Sequence, residues 1–423
     1  MRNPKLLTTV AAATLLFAAC SSSSKSSSKS ASPTTAAPTT TTTTIVPAPK
    51  GLPSFYSFSE PIPAKPGTLI KSERLTLPKI HGDVYRVLYV STTVHGQPTP
   101  VTGLIAVPKG TAPTGGFPVV SWGHGTNGMA DTCAPSFAPG ASETAGLANL
   151  ILDKGWVLTA SDYQGEGTPG LLPYVAGDSA ARNTIDIVRA ARNLPAANAS
   201  NNYVVWGHSE GGHTAMFTDK IGPTYAPELH MKGVVAGAPP SQFNLIYDFL
   251  QTSPYRYYLI MAAAGMNTAY GDAEAPLGQV LTAKGQALIP KLDTSCDVNG
   301  TLGPLDVKSL TKGDPFKVPL WKKVLEASDP EAFAAKSPVP LLIIQGGNDE
   351  QIPVASTQLL ANHLCDLHQV MQRWVYPGQS HAGVIGPSSG DMTHWIADRF
   401  ADGANPDPYV PTGQSDIQKI TCA

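Results

Sequence analysis

The sequence predicts an α/β fold: a mostly parallel central sheet, helices on both faces, and a helical insertion late in the sheet. Three observations predict it. Short runs rich in Val, Ile and Leu alternate with helix-like segments over most of the chain, and strands that alternate with helices build parallel sheets. The middle runs are continuously apolar rather than alternating, as strands covered on both faces are. The alternation breaks between about residues 241 and 336, where helix-like aromatic patches replace strands.

Taken in order, the chain opens as a targeting signal. Arg2 and Lys5 precede an apolar run over residues 6–19, too short for a stable membrane span. The run ends Leu16-Phe17-Ala18-Ala19-Cys20, which resembles a bacterial lipobox with Phe17 where leucine is usual. Residues 1–20 are thus expected to be a lipoprotein signal, with Cys20 lipidated and the protein tethered to a membrane outside the cytoplasm. The alternative is plain secretion with cleavage nearby. Residues 21–50 are Ser, Thr, Ala, Pro and Lys, including six consecutive threonines from Thr39 to Thr44. Such a segment has almost no apolar surface to bury and is expected to be a disordered stalk.

From residue 51 the chain turns globular. Strands are expected at 84–90, 101–107, 118–122, 156–160, 203–206, 233–236, 340–344 and 370–376. The first two are joined by a short turn around Gly96 and Pro98, which predicts an antiparallel hairpin at the sheet edge. Helices are expected at 142–154, with a Ser start and a Gly155 stop; at 178–193, with an Asp178 cap and Pro195 as terminator; and at 210–221, 355–367 and 391–400. The catalytic part is therefore expected to comprise residues 51–240 and 337–423, with 241–336 inserted as a helical cap. Its cluster of Tyr247, Phe249, Tyr255, Tyr257 and Tyr258 reads first as packing within that subdomain.

The chemistry gathers around Val204-Val205-Trp206-Gly207-His208-Ser209-Glu210-Gly211-Gly212-His213, an apolar strand that stops, exposes one serine and restarts as a helix. That is a nucleophile elbow. A chance Gly-x-Ser-x-Gly is expected roughly 0.3 times in a chain this rich in glycine, so the motif needs its strand–turn–helix context. A serine hydroxyl also needs a base, and the base an orienting acid. Asp349 lies just past the 340–344 strand, with Glu350 as its competitor, and His381 lies just past the 370–376 strand. Ligand sites in open α/β sheets sit at such carboxyl ends. His363, His368 and His394 fall in helix-like segments, and His208 and His213 are expected as pocket wall or helix face. For the oxyanion, the backbone N–H of Glu210 is one expected donor. The loop Gly123-His124-Gly125-Thr126 supplies the other, with Thr126 preferred and Gly125 next. His124, Asp162, Tyr163 and His208 are expected to shape the pocket.

Charged residues are only 14% of the 423, and the net charge is −2. Neither feature suggests nucleic acid as a partner. Cys133, Cys296, Cys365 and Cys422 are an even set in an exported chain, which implies two disulfides with three possible pairings. No Cys or His spacing reads as a zinc site.

Together these motifs resemble the secretory lipase family, the lipase-A-like branch of the α/β-hydrolases. The resemblance rests on Trp-Gly-His-Gly-Thr at 122–126, Asp-Tyr-x-Gly-x-Gly at 162–167, Gly-His-Ser-Glu-Gly-Gly at 207–212, Gly-Ala-Pro-Pro at 237–240, Gly-Gly-Asn-Asp-Glu-x-Ile-Pro at 346–353 and Gly-x-Ser-His at 378–381. It implies hydrolysis of a lipid or small carboxylic ester, acyl chains bound under the cap, no cofactor, and the disulfides Cys133–Cys296 and Cys365–Cys422. The lipobox and stalk lie outside the family pattern and point to a bacterial branch. The same machinery would serve an acyltransferase or a peptidase, and the third alternative is a surface lipoprotein that binds without catalysis. Oligomeric state is not written in the sequence.

Overall fold

The computed structural model describes residues 43–401, 409–411 and 417–422. Cys20 and the expected signal lie outside them. The expected stalk departs from the structure at its end. β1 (Thr44–Val46) pairs antiparallel with β2 (Phe58–Glu60), Ile45 opposite Ser59. Ile45 stays 73% exposed, while Val46 is partly buried opposite the buried Phe58.

One sheet of ten strands organises the rest. In chain order they are β3 (Leu69–Leu75), β4 (Gly82–Thr92), β5 (Pro98–Pro108), β6 (Phe117–Gly123), β7 (Val157–Ser161), β8 (Ala199–His208), β9 (His230–Gly237), β10 (Leu341–Gly346), β11 (Met371–Tyr376) and β12 (Gln418–Cys422). Their order across the sheet is β12-β11-β10-β9-β8-β6-β7-β5-β4-β3. The six strands from β11 to β7 are parallel. β3, β4 and β5 extend one side antiparallel, and β12 closes the other. The β4–β5 hairpin is therefore not the edge: β3 lies outside it. β3 escapes a sequence reading because Leu-Ile-Lys-Ser-Glu-Arg-Leu is half-exposed and carries three charges.

Helices cover both faces. α1 (Glu143–Leu152) packs on one face, and α2 (Gly177–Asn193) and α3 (Glu210–Tyr225) on the other. Ser142 caps α1, its side chain accepting from the Ala145 N–H. Asp178, in contrast, sits in the first turn of α2, and Ala176 holds the cap position. α2 buries Ile185, Ile187, Val188 and Ala191, a stripe at helical spacing.

Between β9 and β10 the described residues form helices and turns, with one isolated bridge from Leu281 to Thr311. The longer helices are α4 (Phe243–Leu250), α5 (Tyr258–Glu274) and α6 (Pro319–Ala327). They share an apolar core around Ile260, Met261, Met266 and Trp321 that also takes in Met129, Tyr163 and Tyr174 from outside the insertion. Both ends of the insertion are fastened together: Asp329 accepts from the N–H groups of Gln242 and Phe243. A disulfide from Cys133 to Cys296 joins the insertion to the loop after β6. Constraining a loop of that size contributes on the order of 5 kcal/mol in the chain-entropy account. The second disulfide, Cys365–Cys422, ties β12 to α7 (Val354–Asp366). α8 (Ile385–Phe400) returns to the face covered by α1. No helix among the described residues is long and apolar enough to cross a membrane.

Candidate active site

β6 and β8 are neighbours although β7 lies between them in sequence. After β6 the chain crosses to one side of the sheet, and after β7 it crosses back. The loops past the carboxyl ends of β6 and β8 therefore meet at a switch in strand order, where clefts form in open sheets.

Ser209 stands at that point. Its backbone is held at φ 58°, ψ −121° between β8 and α3, and its N–H donates to the Gly237 carbonyl at 2.9 Å. A non-glycine residue held there is strained by about 1–3 kcal/mol. The neighbours explain the glycines two residues to either side. A Cβ on Gly207 would run into the Gly211 carbonyl oxygen, and one on Gly211 into that of Gly123. Strand, turn and helix thus touch backbone to backbone. Ser209 remains half-buried between the buried His208 and Glu210, and the unpaired N–H groups of the first turn of α3 begin beside it.

The structure brings His381 and Asp349 together. His381 Nδ1 lies 2.8 Å from Asp349 Oδ2, with the two side chains 6% and 0% exposed. Asp349 also accepts from Gln345 Nε2 at 2.7 Å and from the N–H groups of Gln351 and Ile352 at 2.9 and 2.8 Å. Glu350 faces elsewhere: it accepts the backbone N–H of His381 at 3.1 Å. The His381 ring stacks obliquely on His208, centroids 4.7 Å apart. That places it beside the residue preceding Ser209. The other histidines are engaged apart from this pair: His363 Nε2 meets the Phe333 carbonyl, His394 packs against Tyr409, and His368 sits in the turn after α7.

Gly125 also comes close to Ser209; a Cβ on it would lie 3.8 Å from the serine Cβ. Its N–H, however, donates to Glu143 Oε2 at 3.2 Å. Thr126 Oγ1 bonds Tyr174 Oη at 2.8 Å. Glu143 and Tyr174 carry no sequence signal for this site, since only the return of α1 and of the loop before α2 brings them here.

Beneath these loops lies a layer of buried polar groups. Asp162 accepts from Thr102 Oγ1 at 2.7 Å, from the Ser136 N–H at 2.9 Å and from the Ser136 hydroxyl. Burial pushes its carboxyl up to about 6. The His124 ring stacks on Tyr163 at 4.3 Å, and its Nε2 lies 3.7 Å from Glu166 Oε2. Burial lowers His124 to about 4 and holds Glu166 well above the carboxylate range. Both shifts favour the uncharged forms, so this contact is not an ion pair. Burial likewise takes His208 down to about 3.

Ser209 opens into an apolar cavity, and such clefts with a few polar groups are where small ligands bind. Its walls come from the insertion (Phe243, Ile246, Leu250, Tyr258, Ala263, Trp321), from Tyr174, and from Gln351 and Ile352 beside Asp349. The Tyr258 hydroxyl donates to Gln351 Oε1 at 2.9 Å, joining α5 to the Asp349 loop. The residues expected to shape the pocket lie elsewhere. His124, Asp162, Tyr163 and His208 do not line this cavity; they are buried in the polar layer beneath the loops. The aromatic stretch of the insertion, expected as packing, supplies cavity wall through Tyr247 and Tyr258.

A strained serine at the end of the middle parallel strand, with a buried His–Asp pair past two later strands, defines the α/β-hydrolase class. Residues 141–407 match the family described as secretory lipase. The chain belongs to the secretory lipase family and is a carboxylic ester hydrolase. It is 26% identical over 360 residues to the secreted triacylglycerol lipase LIP4 of Malassezia globosa, covering 79% of this chain and 77% of that one. A probable inactive lipase of Mycobacterium tuberculosis is 24% identical over 366 residues, covering 80% and 79%. In structure the chain is similar to the closed state of Candida antarctica lipase A, with a TM-score of 0.71 and 19% identity over 84% of this chain and 86% of that one.

Proposed function

We propose that the protein is an extracytoplasmic serine esterase or lipase that works through an acyl-enzyme on Ser209. The observation that carries this reading is that Ser209 lines an apolar cavity, because that places an ester carbonyl at the serine and its acyl chain among aliphatic and aromatic walls. In this mechanism Ser209 Oγ attacks the carbonyl carbon and His381 takes the serine proton. Asp349 fixes the tautomer in which Nδ1 carries hydrogen, leaving Nε2 to accept. The N–H groups of Glu210 and Thr126 stabilise the oxyanion. Gly125 is the weaker candidate, because its N–H already serves Glu143. His381 then protonates the leaving alcohol, and water activated by the same ring releases the acid.

The cavity supports ester substrates with extended acyl chains, with the insertion acting as a cap over the serine. The domain plan follows: a catalytic part of residues 51–240 and 337–423 around a cap of 241–336. At the N-terminus, the lipobox ending in Cys20 supports a lipid anchor that places the enzyme on the cell envelope, with the membrane as its partner. The test is a series of nitrophenyl esters of increasing chain length, assayed below and above their solubility. Wild type is expected to hydrolyse them with a chain-length preference set by the cavity, and Ser209→Ala to be inactive on all. Equal rates in both proteins would overturn the reading. Labelling with a radioactive fatty acid in a bacterial host, lost in Cys20→Ser, tests the anchor.

A further inference from the structure

The mechanism uses the backbone of Glu210 and leaves its side chain unexplained. That side chain is 3% exposed, and its Oε2 has no hydrogen-bond partner. It belongs to the residue directly after the serine, and the Thr126 hydroxyl lies at its carboxyl. That hydroxyl in turn bonds Tyr174 Oη at 2.8 Å, and Tyr174 lines the cavity beside Ser209. A file of polar groups, Glu210–Thr126–Tyr174, therefore runs from behind the oxyanion site to the cavity wall.

The groups facing this carboxyl come from three parts of the fold. Thr126 belongs to the loop after β6. Tyr163, Glu166 and Tyr174 belong to the segment between β7 and α2, and Tyr258 to α5 of the insertion. None of them is a cation, and burial holds the Glu166 carboxyl in its own neutral form. A buried carboxylate without a cation or several donors is costly, so the acid form prevails.

We propose that Glu210, as a neutral acid, is a positioning residue that holds Thr126 toward the oxyanion, and that its ionisation switches ester hydrolysis off at alkaline pH. The inference rests on the reading of Ser209 as nucleophile. With the proton on, the carboxyl adds no charge behind the oxyanion site. With the proton gone, a negative charge stands close to the negative charge that develops on the substrate oxygen, and the Thr126 hydroxyl turns toward the carboxylate. Both effects raise the barrier. Burial pushes the Glu210 carboxyl up to about 8, and the bond from Thr126 pulls against it.

The experiment is the pH profile of kcat for a soluble nitrophenyl ester in wild type, Glu210→Gln and Thr126→Val. Wild type is expected to lose activity with a single ionisation centred at about 8. Glu210→Gln should lose that alkaline fall, and Thr126→Val should move it to higher pH, because the hydroxyl that favours the carboxylate is gone. A merely structural role would lower activity evenly across pH. No fall in wild type, or the same fall in all three proteins, would overturn the proposal. Infrared difference spectra supply a readout that needs neither turnover nor a folded Glu210→Gln. Wild type labelled at glutamate should lose an acid carbonyl band over the pH range of the kinetic fall, and Thr126→Val should lose it at higher pH. A band that titrates at one pH in both proteins would overturn it. Activity remaining in Ser209→Ala would instead overturn the underlying reading and leave the infrared result standing.

Discussion

Asp349 gathers four donors onto two oxygens: His381 Nδ1, Gln345 Nε2 and the N–H groups of Gln351 and Ile352. Three of the four belong to its own loop and strand, so the carboxylate is aimed before His381 arrives. Replacing it with Asn puts an amide where an acceptor is needed and turns the histidine to the wrong tautomer. Asp349→Asn is expected to lower kcat by about 10⁴-fold with the fold intact, read in ester hydrolysis alongside thermal unfolding. Glu350→Gln should cost far less, because its carboxylate meets the His381 backbone N–H and the Tyr255 hydroxyl rather than the imidazole. At this scale the sequence placed Ser209, Asp349 and His381 through a simple signal, a polar residue just past an apolar strand. Glu143 and Tyr174 have no such signal. Their approach to Gly125 and Thr126 depends on where α1 and a long loop return, and that is a tertiary outcome.

Among the elements, the apolar strands β4 to β11 are the legible ones, being largely buried. β3 and β12 are not: each is a sheet-edge strand with much of its side-chain surface exposed, and their pairing partners are chosen by topology rather than pattern. The insertion is the reverse case. Its lack of strands is plain in the sequence, but its aromatics read first as packing, because nothing in the pattern marks a cavity wall. In the structure Tyr247 and Tyr258 line the cavity, and Ala263, in the same core as Ile260 and Met261, also reaches its wall. Ala263 is small, is 7% exposed and sits on α5. Ala263→Trp is expected to obstruct the cavity, lowering kcat/KM on long-chain esters at least about tenfold while short-chain esters change little. A uniform loss over all chain lengths would point to damage at the serine instead.

At the scale of the whole molecule, the insertion is held to the catalytic layers by a shared apolar core, in which Met129, Tyr163 and Tyr174 pack with its helices, and by specific ties. One is the Cys133–Cys296 bond. Another is His213 on α3, whose Nε2 lies 2.7 Å from the Ser328 carbonyl at the far end of the insertion, with its ring stacked on Phe243. Burial lowers His213 to about 4. An unfolded histidine titrates at about 6.5, so the unfolded chain binds more protons between these values and stability rises with pH there. The contribution is fully present above about pH 6.5 and is lost as pH falls toward 4, by about 3 kcal/mol at most. His213→Gln should therefore flatten the acid side of the stability profile, measured by urea unfolding at a series of pH values. An unchanged slope would show that this ring does not titrate on unfolding.

The central claim is that Ser209 is the nucleophile of an acyl-enzyme. Intact-mass and peptide analysis after treatment with a fluorophosphonate tests it most directly. The account predicts one adduct, on the peptide carrying Ser209, formed together with loss of ester hydrolysis, slowed by a long-chain ester, and absent from Ser209→Ala. No adduct on an enzyme that hydrolyses esters, or an inactivating adduct on another serine, would contradict it.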